Sequence, residues 1–531
     1  MRKLLLAIST FISFSAYAQE NTLLTQTFWQ GSPDVNTVKT AVDNGANPSQ
    51  MNAMSMDPVV MAINAQAPEQ TIEYLLAQKG NSVDKLTHDG RTYLHWAANR
   101  GNVELLRYLI GKGAKVNIQD SHGTTPLTFA ASSGQQNTAV YDLLISAGAS
   151  LKTDLNGDGA NVLLLAVSND KKLSLTDYFV AKGLSLNSVD ADGNTIFSYA
   201  AKSGDADLLK AILQKGVKPQ SSAMLMAAQG AGGRRGGGGA SLAFYQYLES
   251  LNINPAATNK GGENALHYLV KRADQTEIIK YFLAKGADVN QADQDGNTVL
   301  INAATANRDT TVLALIIPKV KNINQGNQKG ATALALAMKS NSPTVVRYLI
   351  GKGADVNVLD KEGYNLGYYL IESFGARTMQ GFPGQAPQEA GLTAAPARAG
   401  QAGAGQGGRP AGVKGNTDFD DKMAILKEKG FNFTVPQKNG NTLYHLAVAK
   451  NNPALFERIQ PLGIDINAKN KEGLTALHKA ALVAKNDTLL KYLVAKGAAK
   501  DALTNYKESA FDLASENESL TKNNVNLNFL K

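Results

Sequence analysis

The sequence has no cysteine, few histidines and no long apolar run. The absence of cysteine excludes disulfides, thiol nucleophiles and thiolate metal sites. Six histidines leave little material for a histidine-built active site. Because no apolar run reaches the roughly 18 residues that a membrane-spanning helix needs, the sequence predicts no transmembrane segment. The 49 glycines and 16 prolines among 531 residues are too few for a collagen or for a chain disordered throughout.

The N-terminal segment is typical of a secretory signal peptide. Arg2 and Lys3 supply a basic start, residues 4–14 are largely apolar, and residues 16–18 (Ala-Tyr-Ala) form a small-x-small cleavage site. Cleavage after residue 18 would leave Gln19 at the N-terminus, so the cysteine of a bacterial lipoprotein anchor is absent. We therefore expect an exported protein, in a bacterial periplasm or secreted. A short buried helix is the alternative interpretation of this segment.

A glycine that precedes a short apolar run recurs along most of the chain. Successive copies are mostly 33 or 34 residues apart, and the two longer gaps correspond to a degenerate unit and to a unit with an insertion. Because a unit of this length cannot bury an apolar face alone, neighbouring units must stack into one continuous core. With further units at both ends, the count is about 13 or 14. The glycines are Gly90, Gly123, Gly159, Gly193, Gly262, Gly296, Gly330, Gly363, Gly440 and Gly473.

The units share a motif as well as a length. Residues 92–98 (TYLHWAA) align with residues 475–481 (TALHKAA), and Gly-Ala-Asp-Val-Asn closes units as at residues 353–357. This pattern resembles the ankyrin repeat, and the resemblance covers nearly all of residues 20–520. It implies an all-α fold, an ankyrin-repeat solenoid of about 13–14 helix–turn–helix units joined by β-turn or hairpin loops. Local signals agree, because the Thr that opens each motif is a favourable helix N-cap.

The organisation predicted from these patterns has four parts. A signal peptide at 1–18 precedes a repeat array at 19–374, which contains a glycine-rich loop at 229–240. A segment at 375–417, rich in Gly, Ala, Gln and Pro, has too few apolar residues to pack and is expected to be disordered. Repeats and a C-terminal cap follow at 418–531. Both glycine-rich segments fall between the first and second helix of their units.

The formal net charge of +8 has a local explanation. In eight units a lysine precedes the glycine expected to end the second helix, where the helix dipole favours a cation by about 0.3–1 kcal/mol. Alternatively, these lysines align into a basic edge that binds an anionic polymer or glycan together with arginines of the glycine-rich segments. No nucleic acid is expected, because stacking aromatic residues are not interleaved with the lysines. The lysines are Lys79, Lys112, Lys182, Lys215, Lys285, Lys352, Lys429 and Lys496.

Apparent ligand motifs lack the context that their chemistry requires. Residues 403–408 match Gly-x-Gly-x-x-Gly but lie in a low-complexity segment, with no preceding strand and no following helix. Residues 154–159 resemble the start of a calcium loop, yet its twelfth position is Leu165 instead of a bidentate Glu. His95, His267, His445 and His478 share one repeat position, for which the resemblance implies structural hydrogen bonds. We predict no enzyme, no cofactor and no metal site.

The resemblance implies a binding surface instead of a catalytic centre. In the family, contacts come from residues beside the turn glycine and after the Ala-Ala pair of the inner helix. The large residues Trp96, Phe129 and Tyr199 are interpreted as core. The expected partner-binding residues are His88, Arg91, Asn99, Arg100, Ser121, His122, Lys260, Glu263, Gln294, Lys361, Tyr364, Lys438 and Lys471.

The predicted function is that of an exported, non-enzymatic scaffold that binds another protein, in the periplasm or cell envelope, where it would support or protect an enzyme. We expect a monomer. Two units depart from the pattern, at residues 366–369 (LGYY) and at Ile317-Pro318, and are interpreted either as bends or as docking positions.

Overall fold

The structure, a computed structural model, describes residues 21–230, 239–375 and 414–531. The predicted signal peptide at 1–18 lies outside the described residues. So do most of the loop predicted at 229–240 and most of the segment predicted at 375–417. The C-terminal boundary of the segment predicted at 375–417 falls inside a helix that begins at Lys414. This helix buries Phe419 and Leu426, and that burial stabilises its first turn as well.

The chain divides into two compact units, residues 1–253 and 254–531, and the described residues of each contain seven helix pairs. The fourteen pairs agree with the 13–14 units expected from the sequence. The helices of the first unit are α1 (Gln26–Gln30), α2 (Val35–Asp43), α3 (Pro58–Asn64), α4 (Glu69–Leu76), α5 (Tyr93–Arg100), α6 (Val103–Gly111), α7 (Pro126–Ser132), α8 (Thr138–Ser146), α9 (Val162–Ala166), α10 (Ser174–Ala181), α11 (Ile196–Ala201), α12 (Ala206–Gln214), α13 (Ala223–Gln229) and α14 (Leu242–Ser250).

The second unit repeats this arrangement. The part of the chain that the structure describes has no extended strand, only isolated bridges such as Val189 with Thr195 and Ala292 with Thr298 at the turns. The predicted all-α repeat fold is thereby confirmed. The helices of the second unit are α15 (Leu266–Leu269), α16 (Thr276–Ala284), α17 (Val299–Ala306), α18 (Thr310–Ile316), α19 (Ala333–Ser340), α20 (Pro343–Gly351), α21 (Leu366–Ser373), α22 (Lys414–Glu428), α23 (Leu443–Val448), α24 (Pro453–Ile459), α25 (Ala476–Val483), α26 (Thr488–Ala495), α27 (Ala510–Glu516) and α28 (Glu518–Lys522).

Several inner helices, each the first of its pair, begin at a polar cap that also connects to the next repeat. Thr92 is the N-cap of α5, and its N–H donates to His95 Nδ1 over 3.1 Å. The other ring nitrogen, Nε2, lies 3.1 Å from the carbonyl oxygen of Thr124 in the following repeat. His445 and His478 make the same two contacts. His267 shares the first contact, in which the N–H of Asn264 donates to its Nδ1 over 3.1 Å, but not the second. The structural role implied for these histidines is therefore confirmed in full for His95, His445 and His478.

Alanine pairs allow neighbouring inner helices to approach closely. Ala97 and Ala98 of α5 are fully buried, as are Ala480 and Ala481 of α25. Helix α5 packs against α7, and α25 packs against α27, the inner helices of the next repeats. Outer helices contribute larger apolar residues on the face turned to this layer. The core of each unit is thus continuous from repeat to repeat, as a solenoid requires.

Buried amides cap the C-terminal ends of inner helices across repeats. Asn341, which is 1% exposed, donates Nδ2 to the carbonyl oxygen of Ala304 over 2.7 Å. One repeat earlier, Asn307 donates to the carbonyl oxygen of Val270 over 2.9 Å. These carbonyl groups lie at the C-terminal end of an inner helix, where no backbone N–H is available to them. A side chain of the following repeat therefore supplies the missing donor.

Lys422 replaces asparagine in this series. In the repeat that carries the 375–417 segment, Lys422 of α22 donates Nζ to the carbonyl oxygen of Met338 over 2.9 Å. Met338 is the residue of α19 that corresponds to Ala304. Lys422 is 3% exposed, and burial lowers its pKa to about 8. A buried ammonium thus takes the place of a neutral amide at this one repeat.

The two units that depart from the motif differ in outcome. Residues 366–369 lie in α21, a regular inner helix capped by Asn365, so this helix is not deformed, and its interpretation as a docking position stays a prediction. A Cβ at Gly367 would lie 2.9 Å from a methyl group of Leu443, so the end of that side chain would have to shift. At Ile317-Pro318, in contrast, α18 ends and a 3-10 turn follows, so this helix end is deformed as predicted.

No helix in residues 21–230, 239–375 and 414–531 combines the length and the apolar character that crossing a bilayer requires.

Candidate functional site

The first unit contains a cavity of about 1000 Å³, bordered by the first four turns and inner helices. We call it the N-terminal groove. Its lining combines three aromatic rings, three methionines and a set of polar side chains from positions 26 to 133. The aromatic and methionine side chains are Trp29, Met54, Met56, Met61, Trp96 and Phe129. The polar and charged ones are Gln26, Gln30, Ser32, Asn64, His88, Asp89, Arg91, Asn99, Arg100 and Ser133.

Four of the predicted partner-binding residues lie together in this lining. His88 and Arg91 come from the turn before α5, and Asn99 and Arg100 come from its last turn. Arg100 donates Nε and Nη2 to Asn64 Oδ1 over 3.1 and 3.0 Å. The turn and the inner helix of one repeat therefore present their polar residues to a single cavity.

Arg91 supports the floor of the groove. Its guanidinium carbon lies 4.4 Å from the ring centre of Phe129 and 5.5 Å from that of Trp96. Its Nε donates to Asp120 over 3.0 Å and its Nη1 donates to Asp89 over 3.1 Å. Because the side chain is only 12% exposed and engages both carboxylates, Arg91 holds the two rings in place more than it offers a free charge.

The carboxylate of Asp120 organises the neighbouring turn. Burial raises its pKa, but hydrogen bonds from Thr124 and His122 together with the Arg91 charge leave the pKa below its usual range. Asp120 therefore stays ionised and accepts the N–H groups of Thr124 and His122, both over 2.9 Å. The predicted residue Ser121, in the same turn, donates its N–H to the carbonyl oxygen of Asp89 over 2.8 Å. Backbone bonds of this kind fix the spacing of successive turns.

The interpretation of the large aromatic residues as core is wrong in one case. Phe129 is only partly buried and lies in the groove lining together with Trp96, which is buried on its other side. Tyr199 is 3% exposed and belongs to the core as predicted. Phe129 comes from α7 and reaches the groove because the inner helices of consecutive repeats pack side by side, a relation that spacing along the chain does not reveal.

Sequence reasoning did not identify the N-terminal side of the groove. Trp29 belongs to a unit too degenerate to align with the motif, and Met54 and Met56 lie in a turn that lacks the marker glycine. The signal that was available is compositional. Both tryptophans of the chain line the groove, and four of its ten methionines fall within residues 51–61.

The predicted residues of the second unit lie on separate turns instead of around one cavity. Lys361 donates its N–H to the carbonyl oxygen of Lys329 over 2.9 Å, and Lys471 donates to Asn439 over 3.1 Å. Lys438 makes the equivalent bond to Gly363 over 3.1 Å. These bonds join consecutive turns of the second unit into a row, and each of these lysines lies at the exposed tip of its own turn.

Of the four other predicted residues of the second unit, two make contacts within their own repeats. Tyr364 stacks on Tyr368, with ring centres 4.0 Å apart. Glu263 accepts hydrogen bonds from Asn259 and Tyr268. Lys260 is exposed in that same turn, and Gln294 is exposed at the tip of the next.

The described residues bring no group of three or more His, Asp or Glu side chains together in a way that could hold a metal ion. The calcium-like residues instead form an ordinary turn, in which Asn156 Oδ1 accepts the N–H groups of Asp158 and Ala160 over 3.1 and 2.8 Å.

The repeat architecture has a counterpart among known families. The model described as ankyrin repeats (3 copies) matches in overlapping stretches of both units. The matched residues are 24–120, 59–154, 127–223, 240–325, 266–360 and 444–527. The chain belongs to the ankyrin repeat family. Repeats of this family are generally non-enzymatic protein-binding modules, so the chain has the architecture of a protein-interaction scaffold.

Several curated proteins resemble this ankyrin-repeat chain. The human transient receptor potential cation channel subfamily A member 1 is 28% identical over 461 residues, which cover 86% of this chain and 32% of the channel. Palmitoyltransferase AKR1 of Lachancea kluyveri is 24% identical over 268 residues, 49% of this chain and 31% of that protein. L-asparaginase of Dirofilaria immitis is 29% identical over 150 residues, 28% of this chain and 25% of that protein. The chain spans about a third or less of the length of these relatives, and their enzymatic or channel names do not transfer with so partial a match.

Proposed function

We propose that this ankyrin-repeat protein is a non-enzymatic scaffold that binds a segment of another protein in the N-terminal groove. The observation that carries the proposal is the assembly of Trp29, Trp96, Phe129 and three methionines into one cavity with a polar rim. Aromatic, Met and Arg residues are the types enriched at protein interfaces. Clustered in a pocket, such residues provide most of the binding energy of an interface.

The rigid surroundings of the groove favour binding further. Backbone bonds between turns and the Arg91 contacts hold the lining before any partner arrives. Pre-ordering lowers the entropic cost of association. The methionines are adaptable by contrast, because an unbranched thioether fits differently shaped apolar groups. We infer a rigid aromatic floor with an adjustable methionine wall.

We propose further that the scaffold acts outside the cytoplasm, in the periplasm or cell envelope of a bacterium. The support is the signal-like sequence of residues 1–18. An enzyme of that compartment, which the scaffold would support or protect, is the partner class we propose there. Fusion of residues 1–25 to a reporter enzyme that is active only after export tests the compartment, since a reporter that stays inactive would contradict it.

The basic edge formed by the eight lysines is a weaker candidate for the binding site than the N-terminal groove. Six of the eight lysines are C-cap residues of outer helices as predicted, whereas α4 ends earlier and Lys79 lies beyond its C-cap. Lys182 Nζ lies 2.7 Å from Asp142 Oδ1, and Lys215 Nζ lies 2.6 Å from Asp177 Oδ1. Such pairs with the preceding repeat neutralise part of the edge, which favours a protein partner over an anionic polymer.

Site-specific photo-crosslinking tests the groove. A benzoylphenylalanine at Ser133, in the groove lining, is compared with one at Ser146, an exposed residue on the outer helix of the same repeat. In extracts of the source compartment, we expect a discrete protein adduct from position 133 and none from position 146. Equal labelling from both positions, or none from 133, would refute the groove as the binding site.

Salt dependence separates the two candidate partners. A packed apolar interface should keep its position-133 adduct between 50 and 300 mM salt, conditions chosen to span moderate screening. Binding of a polyanion through lysines should fall steeply over that range, because counterions compete with it.

Substitutions in the groove provide a second test of the binding site. Ser133→Arg should abolish the adduct of a probe placed at Asn99, and Ser146→Arg should leave that adduct unchanged.

A further inference from the structure

Methionine is the only source of sulfur in this protein, and its exposure is unevenly distributed. The chain has no cysteine and ten methionines, four of them at residues 51, 54, 56 and 61. Met54 is 48% exposed and Met51 is 38% exposed, whereas Met224 and Met338 are completely buried. Within residues 21–230, 239–375 and 414–531, the exposed thioethers therefore lie in one short segment. The segment borders the N-terminal groove.

The turn that carries these methionines is held in a defined conformation. Asn52 Oδ1 accepts the N–H groups of Met54 and Met56 over 2.9 and 3.1 Å, and the N–H of Asn52 donates to the carbonyl oxygen of Met56 over 2.9 Å. His88 Nδ1 lies 2.9 Å from the carbonyl oxygen of Met54. These contacts fix the backbone of the turn, from which the exposed Met54 side chain lies in the groove lining.

Met51 and Met54 are both exposed, but only Met54 lies in the lining of the N-terminal groove. Met54 lines the groove with Trp29, Trp96 and Phe129, while Met51 is in the same turn but outside that lining. Oxidation turns an apolar thioether into a polar, chiral sulfoxide that favours hydrogen-bond donors over apolar partners. A sulfoxide at Met54 would thus change the groove, and one at Met51 would not.

We propose that Met54 is an oxidation-sensitive modification site through which peroxide weakens protein binding in the N-terminal groove. The modification itself needs no partner; its effect on binding rests on the proposed function. In the reaction a lone pair of the Met54 sulfur forms a bond to one peroxide oxygen, the O–O bond breaks, and proton transfer releases water. The sulfur is oxidised by two electrons and hydrogen peroxide is reduced. A methionine sulfoxide reductase reverses the change.

Mass spectrometry of the full-length chain after a hydrogen peroxide titration tests the site directly. We expect Met51 and Met54 to be oxidised at least tenfold faster than Met224 and Met338 in the folded chain, and all four at similar rates in urea. Rates for Met54 no faster than for Met338 in the folded chain would overturn the proposal without bearing on the crosslinking result at Ser133.

Intrinsic fluorescence reports on the groove without any partner, because both tryptophans of the chain line it. Peroxide should shift the tryptophan emission of the wild type and of Met51→Leu. The shift should be absent in Met54→Leu, which keeps an apolar side chain that cannot be oxidised. A shift that persists in Met54→Leu would show that another residue is responsible and would refute the assignment.

The consequence for binding is measured with the position-133 crosslink. Peroxide should lower the adduct yield about tenfold in the wild type and in Met51→Leu, and treatment with a methionine sulfoxide reductase should restore it. Met54→Leu should keep its adduct in peroxide. If the untreated protein gives no adduct while Met54 is selectively oxidised, the proposed function fails and the modification site stands. If the adduct survives oxidation of Met54, the regulatory effect is refuted.

Discussion

Replacing the buried Lys422 should change the free energy of unfolding in opposite directions at neutral and at high pH. Its ammonium is 3% exposed and donates to the carbonyl oxygen of Met338 over 2.9 Å. Burial lowers the pKa of Lys422 from 10.5 to about 8, with the neighbouring Asp418 opposing and Arg308 reinforcing the shift. The perturbation is Lys422→Met, which removes the charge and keeps an unbranched apolar chain.

The magnitude follows from the two pKa values. Above pH 10.5 the amine is neutral in both states, and between pH 10.5 and 8 only the unfolded chain binds the proton, so stability falls as the pH falls. At about 1.4 kcal/mol per pH unit, the charged amine costs the native state about 3 kcal/mol at pH 7 and less than about 1 kcal/mol at pH 10. The hydrogen bond to Met338 offsets about 1–2 kcal/mol at either pH.

We therefore expect Lys422→Met to be more stable than the wild type by about 1–2 kcal/mol at pH 7 and no more stable, or about 1 kcal/mol less stable, at pH 10. Urea unfolding followed by far-ultraviolet circular dichroism at both pH values measures the difference. Lys427→Met, an exposed position on the same helix, is the control and should change stability by less than about 0.5 kcal/mol. A Lys422→Met effect that is equal at pH 7 and pH 10 would refute the reasoning.

Two further predictions concern the links between repeats. Burial lowers the pKa of His95 to about 4, so the unfolded chain takes up its proton first as the pH falls from 6.5, and up to about 3 kcal/mol of stability should be lost by pH 4. In urea unfolding at pH 7 and 4.5, His95→Gln should lose less stability on acidification than the wild type; an equal loss would contradict this. Asn341→Ala leaves two buried carbonyl groups without their donor and should cost about 2–4 kcal/mol, whereas Asn523→Ala at an exposed helix end should cost under about 1 kcal/mol. Similar urea midpoints for these two variants would show that the asparagine caps do not stabilise the stack.

The agreement between sequence and structure is best where the forces are local. The N-caps at Thr92 and Thr475, the histidine three residues later and the glycine of each turn act within one repeat, so their spacing was sufficient to predict them. At Gly473 φ is +78°, and a Cβ would lie 2.6 Å from the N of Asn505. A glycine is therefore required for both reasons. Repetition of such local signals indicated the fold and the number of units.

Prediction was less successful where a residue acts through its neighbours in space. The motif indicated His88, Arg91, Asn99 and Arg100 as contact residues, and these four do share the N-terminal groove. It did not indicate that Arg91 would be engaged by two carboxylates, because Asp120 belongs to the next repeat. Equivalent positions in the second unit, such as Lys471, form a row without a common cavity. Residues at equivalent repeat positions therefore face the same way, but the side chains around them differ from repeat to repeat.

By itself, the sequence determined the repeat, its helices and the turn positions, because capping and amphipathic periodicity operate over a few residues and recur in every unit. Only the tertiary structure decided which side chains meet. Trp29, Met54, Trp96 and Phe129 are separated by up to a hundred residues and converge because stacking places the same face of each repeat side by side. Lys422 became a buried helix cap for the same reason. Packing between repeats, which has no signature within any single one, created both.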